Sequence, residues 1–399
     1  MSKYHVIFFF IFCTNIVFAQ IGQFNHVFNQ PLLLNPAYTG TIESSRFIVN
    51  TRRQWPEFSS ERQVRFDTYS VSYDQFFPKH KIAVGMMLSH DKAGDANLQS
   101  NVIGLLGAYE FEISNETRVR FSLQGDYAMM DVNFTGLLFE DQILTQNPIS
   151  QENLVGTDGK VNYFDFSFGS LMSTEIYWVG LAIHHLNQPN ISLIDEKVIL
   201  PTKLTIHGGL RFPLNMILNK KGSAKGPLLK KGSTKKDNPN NGLDKEQLRI
   251  ATIYQRTGNV DQLSLGIIFE HHISAVKGQK IKPYCNNPEN NTHIGLAKEN
   301  ILSSFNAGLW YNAISFSNKI SVNHHKVDPL VFRAGFHFLN FPISSIVYSY
   351  DLPFFSQLDT STGGAHALSI RFQLGHVSDC PDSENWEKHR GYYPIMDAR

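Results

Sequence analysis

Apolar and polar residues alternate along many short stretches of this chain. In RVRFSLQGDY at 118–127, Phe121 and Leu123 fall on one face of an extended strand, while Arg120 and Ser122 fall on the other. The stretches KLTIHGGLRF at 203–212 and HALSIRFQL at 366–374 repeat the pattern. Successive side chains of a strand point to opposite faces, so this period of two predicts strands with one apolar and one polar face.

The alternating stretches are long enough to cross a bilayer as tilted strands, which need about 9 to 11 residues each. An antiparallel transmembrane β-barrel of about 14 strands, hence an all-β fold, is therefore predicted over residues 44–375. The predicted strands are 45–54, 64–74, 81–90, 99–111, 118–130, 162–172, 175–186, 202–213, 247–256, 261–270, 301–311, 329–338, 343–351 and 365–375.

The N-terminus has the pattern of an export signal. Lys3 precedes the apolar run 6–18, and Val17-Phe18-Ala19 places compact residues at a cleavage position. Residues 1–19 are predicted to be a signal peptide, which would carry the mature chain to the outer membrane. Residues 20–43 then form a short N-terminal periplasmic segment. Its leucines at 32–34 must be buried, either by plugging the barrel mouth or by docking on a partner.

The connections between predicted strands differ in length. The connections 131–161 and 187–201 are long and fall on the external side, if the first strand runs outward. By the same parity, 214–246 and 271–300 fall in the periplasm. The first of these is a Lys-rich, flexible insertion with KKGSAK and KKGSTK ten residues apart, and a further tail occupies 376–399.

The charge composition argues against nucleic acid as a partner. With 36 Lys and Arg against 35 Asp and Glu, the net charge is only +1, which gives no electrostatic basis for binding nucleic acid. Two cysteines lie outside the signal peptide, Cys285 and Cys380. Parity places both in the oxidising periplasm, where they either form a disulfide or stay free.

The sequence offers little catalytic chemistry. It has no Gly-x-Ser-x-Gly elbow, no His-Glu-x-x-His motif and no phosphate-binding glycine loop, so we expect no enzyme, no cofactor and no metal site. Adjacent strand residues point to opposite faces, so the pairs His184-His185, His271-His272 and His324-His325 should not chelate one ion.

Charged and aromatic residues have structural interpretations that are simpler than ligand binding. Asp126 and Asp165 could join the inward-facing arginines in a charged network that satisfies the polar lumen. Tryptophans near strand ends fit an aromatic girdle at the membrane interfaces. The residues concerned are Arg118, Arg120 and Arg211 for the network, and Trp55, Trp178 and Trp310 for the girdle.

Collinear blocks over essentially the whole mature chain resemble the PorP/SprF family. The blocks include FNQPLLLNPAYTG, RRQWPEF, TYSVSYD, HDKAGDANL, GLAIHHLNQPNIS, VYSYD and GGAHALSIRF. The positions that match family motifs are Asn35, Pro36, Gln54, Trp55, Asp74, Asp91, Gly94, His185, Tyr350, Asp351 and His366.

The resemblance implies a non-enzymatic component of the type IX secretion and gliding machinery, integral to the outer membrane and in contact with its lipid. It would be needed for secretion and surface attachment of adhesins, and would bind their C-terminal domains through external connections at 131–161, 187–201 and 312–328. Other secretion components in the periplasm and outer membrane would be further partners. The alternative is an outer-membrane transporter of hydrophobic compounds, with the N-terminal segment as its hatch.

Overall fold

The structure is a computed structural model of the full chain. It describes residues 29–42, 45–56, 65–94, 98–114, 117–132, 140–145, 159–174, 176–193, 197–214, 246–273, 301–316, 329–339, 343–353 and 364–374. Several sequence predictions lie outside these ranges: the predicted signal peptide at 1–19, Cys285, Cys380, the His324-His325 pair, nearly all of the Lys-rich insertion and the tail 376–399.

Fourteen antiparallel strands form a closed barrel in which each strand pairs with its neighbours in sequence. The first and last strands close it through ten residue pairs, from Ser45 opposite Leu374 to Gln54 opposite Ala365. The predicted fold is thus confirmed. The strands are β1 Ser45–Gln54, β2 Arg65–Phe77, β3 Ile82–Gly94, β4 Leu98–Ser114, β5 Thr117–Asp131, β6 Lys160–Ser173, β7 Tyr177–His184, β8 Lys203–Pro213, β9 Glu246–Thr257, β10 Val260–His272, β11 Ile301–Phe316, β12 Pro329–Leu339, β13 Ile343–Pro353 and β14 Ala365–Leu374.

The alternation in sequence corresponds to the two faces of the barrel wall. On β5, Leu123 is 66% exposed on the outside, whereas Ser122 and Gln124 are buried inside. The same division holds on β8 for Ile206 and His207, and on β14 for Leu368 and Ser369. An apolar exterior with a polar interior is the arrangement that a bilayer requires of a barrel.

The two ends of the barrel are named here by the first strand. The base is the end where β1 begins at Ser45, and the rim is the end where β1 finishes at Gln54. Both long connections assigned by parity to one side, β8 to β9 and β10 to β11, leave from the base. A short helix, α2 Glu140–Thr145, lies in the β5 to β6 connection at the rim.

Residues 29–42 lie inside the barrel. They contain one helical turn, α1 Pro31–Leu34, followed by the 3₁₀ turn Pro36–Tyr38, which contacts β4, β5, β6 and β7. Leu32, Leu34 and Tyr38 are almost completely buried in a cluster with apolar residues of the wall. Within the described residues, no helix is both long and apolar enough to cross a bilayer.

The tryptophan girdle prediction is wrong for two of its three residues. Trp178 and Trp310 point into the lumen, where they are 1% and 4% exposed, and they pack in the same apolar cluster as Leu32 and Leu34. The exposed outer aromatics are tyrosines and phenylalanines, such as Tyr69 near the rim and Tyr109 near the base. The indoles instead pack against apolar groups that fill the lumen.

Candidate functional site: the lumen segment and the rim

The segment Asn35–Gly40, with the sequence NPAYTG, is anchored inside the barrel. Asn35 Oδ1 accepts a hydrogen bond of 2.9 Å from the backbone N–H of Ala37, which caps the 3₁₀ turn, and Pro36 occupies its first position. Asn35 Nδ2 reaches the wall, donating to the carbonyl oxygens of Ser170 at 2.9 Å and Leu181 at 3.3 Å. The asparagine therefore shapes the turn and attaches it to the barrel.

A buried histidine on β8 holds the same turn from the other side. His207 Nε2 lies 3.0 Å from Asn35 Nδ2, and its Nδ1 lies 3.2 Å from the hydroxyl of Tyr38, whose ring stacks on the imidazole. His184 on β7 contacts the carbonyl oxygen of Leu34 at 3.3 Å. The two histidines thus pair with polar groups that the segment brings into the lumen.

Glycine ends the segment because the wall leaves no room for a side chain. Gly40 has a φ of 65°, in the left-handed region, and a Cβ there would overlap the Cβ of Ala83. Its N–H donates to Asp74 at 2.6 Å, and Asp74 also accepts two bonds from Arg46, of 2.8 and 2.9 Å. Asp74 therefore links the segment to β1 and β2.

A second buried ion pair lies beside the first. Arg120 on β5 pairs with Glu110 on β4, and its Nη1 donates to the carbonyl oxygen of Thr39 at 3.2 Å. Arg118 also pairs with Glu110, at 3.5 Å. Each cation that contacts the segment has a carboxylate partner, which buried charges require.

In the described part of the chain, the lumen charges predicted to form one network contact different partners. Asp126 and Asp165 face each other across β5 and β6, where Asp126 accepts from Gln124 Nε2 at 2.8 Å and Asp165 lies 2.6 Å from His185 Nδ1. Arg118 and Arg120 pair with Glu110, nearer the base, and Arg211 lies opposite Arg249. Sequence alternation gives the face of a residue but not its height along the barrel axis, which separates these groups.

The histidine pairs do not converge on one site. His184 and His185 have ring centroids 6.3 Å apart and contact Leu34 and Asp165 respectively. His271 and His272 approach different carboxylates, those of Glu246 and Glu270. Among the described residues, no group of three or more His, Cys, Asp or Glu side chains is arranged to hold a metal ion.

Most family-motif positions gather at the rim. Eight of the eleven lie there, and seven of those, the rim cluster, fall on or beside β13, β14, β1 and β3, of which β13, β14 and β1 are consecutive and β3 is separated from β1 by β2. The rim cluster comprises Gln54, Trp55, Asp91, Gly94, Tyr350, Asp351 and His366, while His185 follows β7 elsewhere on the rim. Asn35, Pro36 and Asp74 belong to the lumen site described above.

Hydrogen bonds and ring contacts order the rim cluster. Arg52 donates to Gln54 at 2.9 Å and to Asp351 at 3.2 Å, which links β1 to β13. The backbone N–H of Trp55 donates to the Gly364 carbonyl oxygen at 2.7 Å, and the indole ring packs edge-on against Phe66. The buried Arg52–Asp351 ion pair therefore fixes β1 relative to β13, beside the partly exposed Gln54 and Trp55.

Outward-facing aromatic residues also belong to the rim cluster. Tyr350 packs against His366 with ring centroids 4.9 Å apart, and the Tyr348 hydroxyl lies 2.7 Å from Nδ1 of the same histidine. Asp91 accepts a hydrogen bond from Thr68, which ties β3 to β2. Motif residues that are far apart in sequence are thus neighbours because the barrel closes between β14 and β1.

Closed topology, an apolar exterior and a polar, charged lumen define an integral outer-membrane β-barrel. The profile of the family described as "Type IX secretion system membrane protein PorP/SprF" matches residues 16–237, more than half of the chain. The chain belongs to this family. It is a type IX secretion component of the outer membrane, and its family and fold are those of membrane-barrel secretion or transport proteins rather than of typical enzymes.

Several solved outer-membrane barrels are similar in fold. The Pseudomonas putida toluene transporter TodX has a TM-score of 0.44 and 9% identity, over 87% of this chain and 94% of its own. The CymD monoaromatic hydrocarbon channel has a TM-score of 0.43 and 12% identity, over 90% and 95%. A Pseudomonas aeruginosa FadL homologue has 0.40 and 11%, over 86% and 93%. No curated protein sequence matches the chain significantly.

Proposed function

We propose that this barrel receives the C-terminal domains of secreted adhesins at the cell surface and holds them there. The observation that carries the proposal is the position of the family-motif residues, most of which meet at the rim although they are widely separated in sequence. Gln54, Trp55, Tyr350 and His366 are partly exposed in this cluster, and a polar and aromatic surface of this kind suits recognition of a folded partner.

In this proposal the rim faces the exterior and the base faces the periplasm. Residues 1–19 direct export and are removed, and the connections 131–161, 187–201 and 312–328 surround the docking surface. Periplasmic secretion components contact the base, from which the 214–246 and 271–300 connections leave. Cys285 and Cys380 would share that compartment and could join the tail to the base.

Two apolar side chains at the rim support docking. Ile143 and Leu144 on α2 are 65% and 74% exposed. Two adjacent apolar side chains exposed in a connection at the rim could pack against a bound partner. They lie in the first of the three connections that we assign to the docking surface.

The test uses cells in which the gene is replaced by variants. The double substitution Ile143→Ser and Leu144→Ser is expected to lower the amount of adhesin retained on the surface, measured by mass spectrometry after protease shaving. The matched control is Ile176→Ser, because Ile176 is 60% exposed but lies in the β6 to β7 turn at the base. Equal adhesin retention in both strains, with equal barrel levels, would exclude docking at α2.

A strain that lacks the gene distinguishes a role in adhesin export from transport of hydrophobic compounds. Deletion of the gene is expected to remove one or a few large surface proteins and to leave other secreted proteins in place. Loss of all type IX cargo would indicate a core translocon role instead. An unchanged surface proteome, together with lipid-like molecules bound to the purified barrel, would favour the transporter.

A further inference from the structure

Arg333, which is half-buried, differs from Arg52 and Arg249 in having no carboxylate partner. It lies at an inward position of β12, between the fully buried Val331 and Gly335. Its Nε is buried and has no hydrogen-bond partner, and among the described residues no carboxylate forms an ion pair with it. By contrast, Arg52 pairs with Asp351 and Arg249 with Glu270.

Two further arginines, Arg249 and Arg371, point into the lumen as Arg333 does. The charge of Arg371 acts on Arg333, and the charges of Arg249, Arg333 and Arg371 act together on His337. Two buried carboxylates lie on strands close to Arg333, and both already have partners. Asp351, opposite Val331, pairs with Arg52, and Glu270 accepts hydrogen bonds from Arg249 and from Ser304, the latter at 3.0 Å. The nearby carboxylates are thus already paired with other arginines, and the charge of Arg333 is left without a carboxylate partner among the described residues.

A serine hydroxyl lies on the strand paired with β12, at the position opposite Arg333. Ser349 on β13 is the residue directly opposite Arg333, it is fully buried, and its Oγ has no hydrogen-bond partner among the described residues. Next to it on β14 is Ala367, which is small and only half-buried. A planar guanidinium fork with a neighbouring hydroxyl matches the two oxygens of a carboxylate.

We propose that Arg333 and Ser349 form a binding site inside the barrel for a carboxylate group. The guanidinium would donate two parallel hydrogen bonds to the carboxylate and the serine hydroxyl a third, so the ligand would neutralise the unpaired charge. Either a free carboxylic acid or the carboxyl terminus of a polypeptide could supply the group. The site does not depend on adhesin docking at the rim.

The test measures the unfolding temperature (Tm) of the full chain, purified in an uncharged detergent, by tryptophan fluorescence. Acetate is expected to raise Tm by about 2–4 °C at concentrations well above its dissociation constant, whereas acetamide at equal ionic strength leaves Tm unchanged. A second arm compares a peptide with a free C-terminus and the same peptide amidated. A response to acetate identifies a free acid as sufficient, and a response to the free peptide alone identifies a polypeptide carboxyl group.

Three variants link the response to the site. Arg333→Gln is expected to abolish the carboxylate response and to raise Tm without ligand, because it removes an unpaired, half-buried charge. The control is Arg53→Gln, since Arg53 is a rim residue that pairs with Asp67 on the outer face, and it should keep the full response. Ala367→Glu would supply an internal carboxylate, so it should raise Tm and block the response only while Arg333 is present.

The proposal is overturned by any of three results. The first is a wild type whose Tm responds to neither acetate nor the free peptide. The second is a response of equal size in Arg333→Gln, which would place binding elsewhere. The third is a stronger response to phosphate than to either carboxylate at equal ionic strength, which would assign the site to a different anion.

Discussion

Glycines of the barrel wall make room for large side chains of the neighbouring strand. Gly209 lies opposite Trp178, Gly266 opposite Trp310, and Gly180 opposite His207. A Cβ at any of these glycines would overlap the ring that faces it. Close packing of this kind leaves little tolerance for added volume, because interiors pack at nearly crystalline density.

Gly180→Ala should therefore release the lumen segment. The new methyl group would overlap the His207 imidazole and lie 2.9 Å from Asn35 Nδ2, so we expect a loss of about 1–3 kcal/mol of stability and faster proteolysis near Asn35. The matched control is Gly107→Ala on β4, where the structure places nothing within 4 Å of a Cβ. Urea unfolding in detergent provides the measurement. Equal midpoints for the two variants would show that the His207 contact is not restrictive.

The two inward tryptophans show what strand alternation can and cannot predict. Trp178 is in phase with Gly180 and Ala182, and Trp310 is in phase with Asn312, so their inward direction could have been read from the sequence. The girdle prediction used residue type alone and was wrong for both. Their contact with Leu32 and Leu34 could not have been predicted, because strand patterns contain no information about what occupies the lumen.

At the scale of elements, the lumen segment contacts the barrel wall through apolar side chains and through hydrogen bonds to its backbone. Its apolar side pairs Leu32, Leu34 and Tyr38 with wall residues, and its backbone carbonyls accept bonds from Arg46, Arg120 and His184. The leucines indicated from sequence that the segment had to be buried. Their position in the lumen also depends on contacts with Arg120 and His184, which lie more than 80 residues away along the chain and for which the sequence gives no local signal.

Removal of the segment is expected to open a path through the barrel. A variant lacking residues 29–40 should show a higher single-channel conductance in planar bilayers than the wild type, because those residues occupy the lumen. The control lacks residues 220–231, an equal length of the Lys-rich connection at the base. If the first deletion leaves conductance unchanged while the barrel stays folded, the segment is not the obstruction.

At the scale of the whole molecule, the sequence predicted the fold well because the bilayer imposes a simple rule. Every outward side chain must suit lipid and every backbone group must be paired, so strands alternate and the sheet must close. The fourteen predicted strands correspond one to one with β1–β14. The meeting of Gln54, Asp351 and His366 at the rim could not be derived from alternation, since it depends on closure between the two ends of the chain.

Closure also predicts how the intact molecule behaves in detergent. The ladder between β1 and β14 leaves no free edge, so the folded barrel should resist sodium dodecyl sulfate and migrate faster unboiled than boiled, in outer-membrane fractions. Val49→Pro should abolish the fast-migrating form, because Val49 lies in the middle of that ladder opposite Ile370, and proline removes an N–H and disrupts strand pairing. Ser223→Pro in the Lys-rich connection is the control and should keep the fast form. Recovery of the wild type in the soluble periplasm would contradict the outer-membrane location. A Val49→Pro barrel that still migrates fast would show that closure through β1 and β14 does not determine the resistance to detergent.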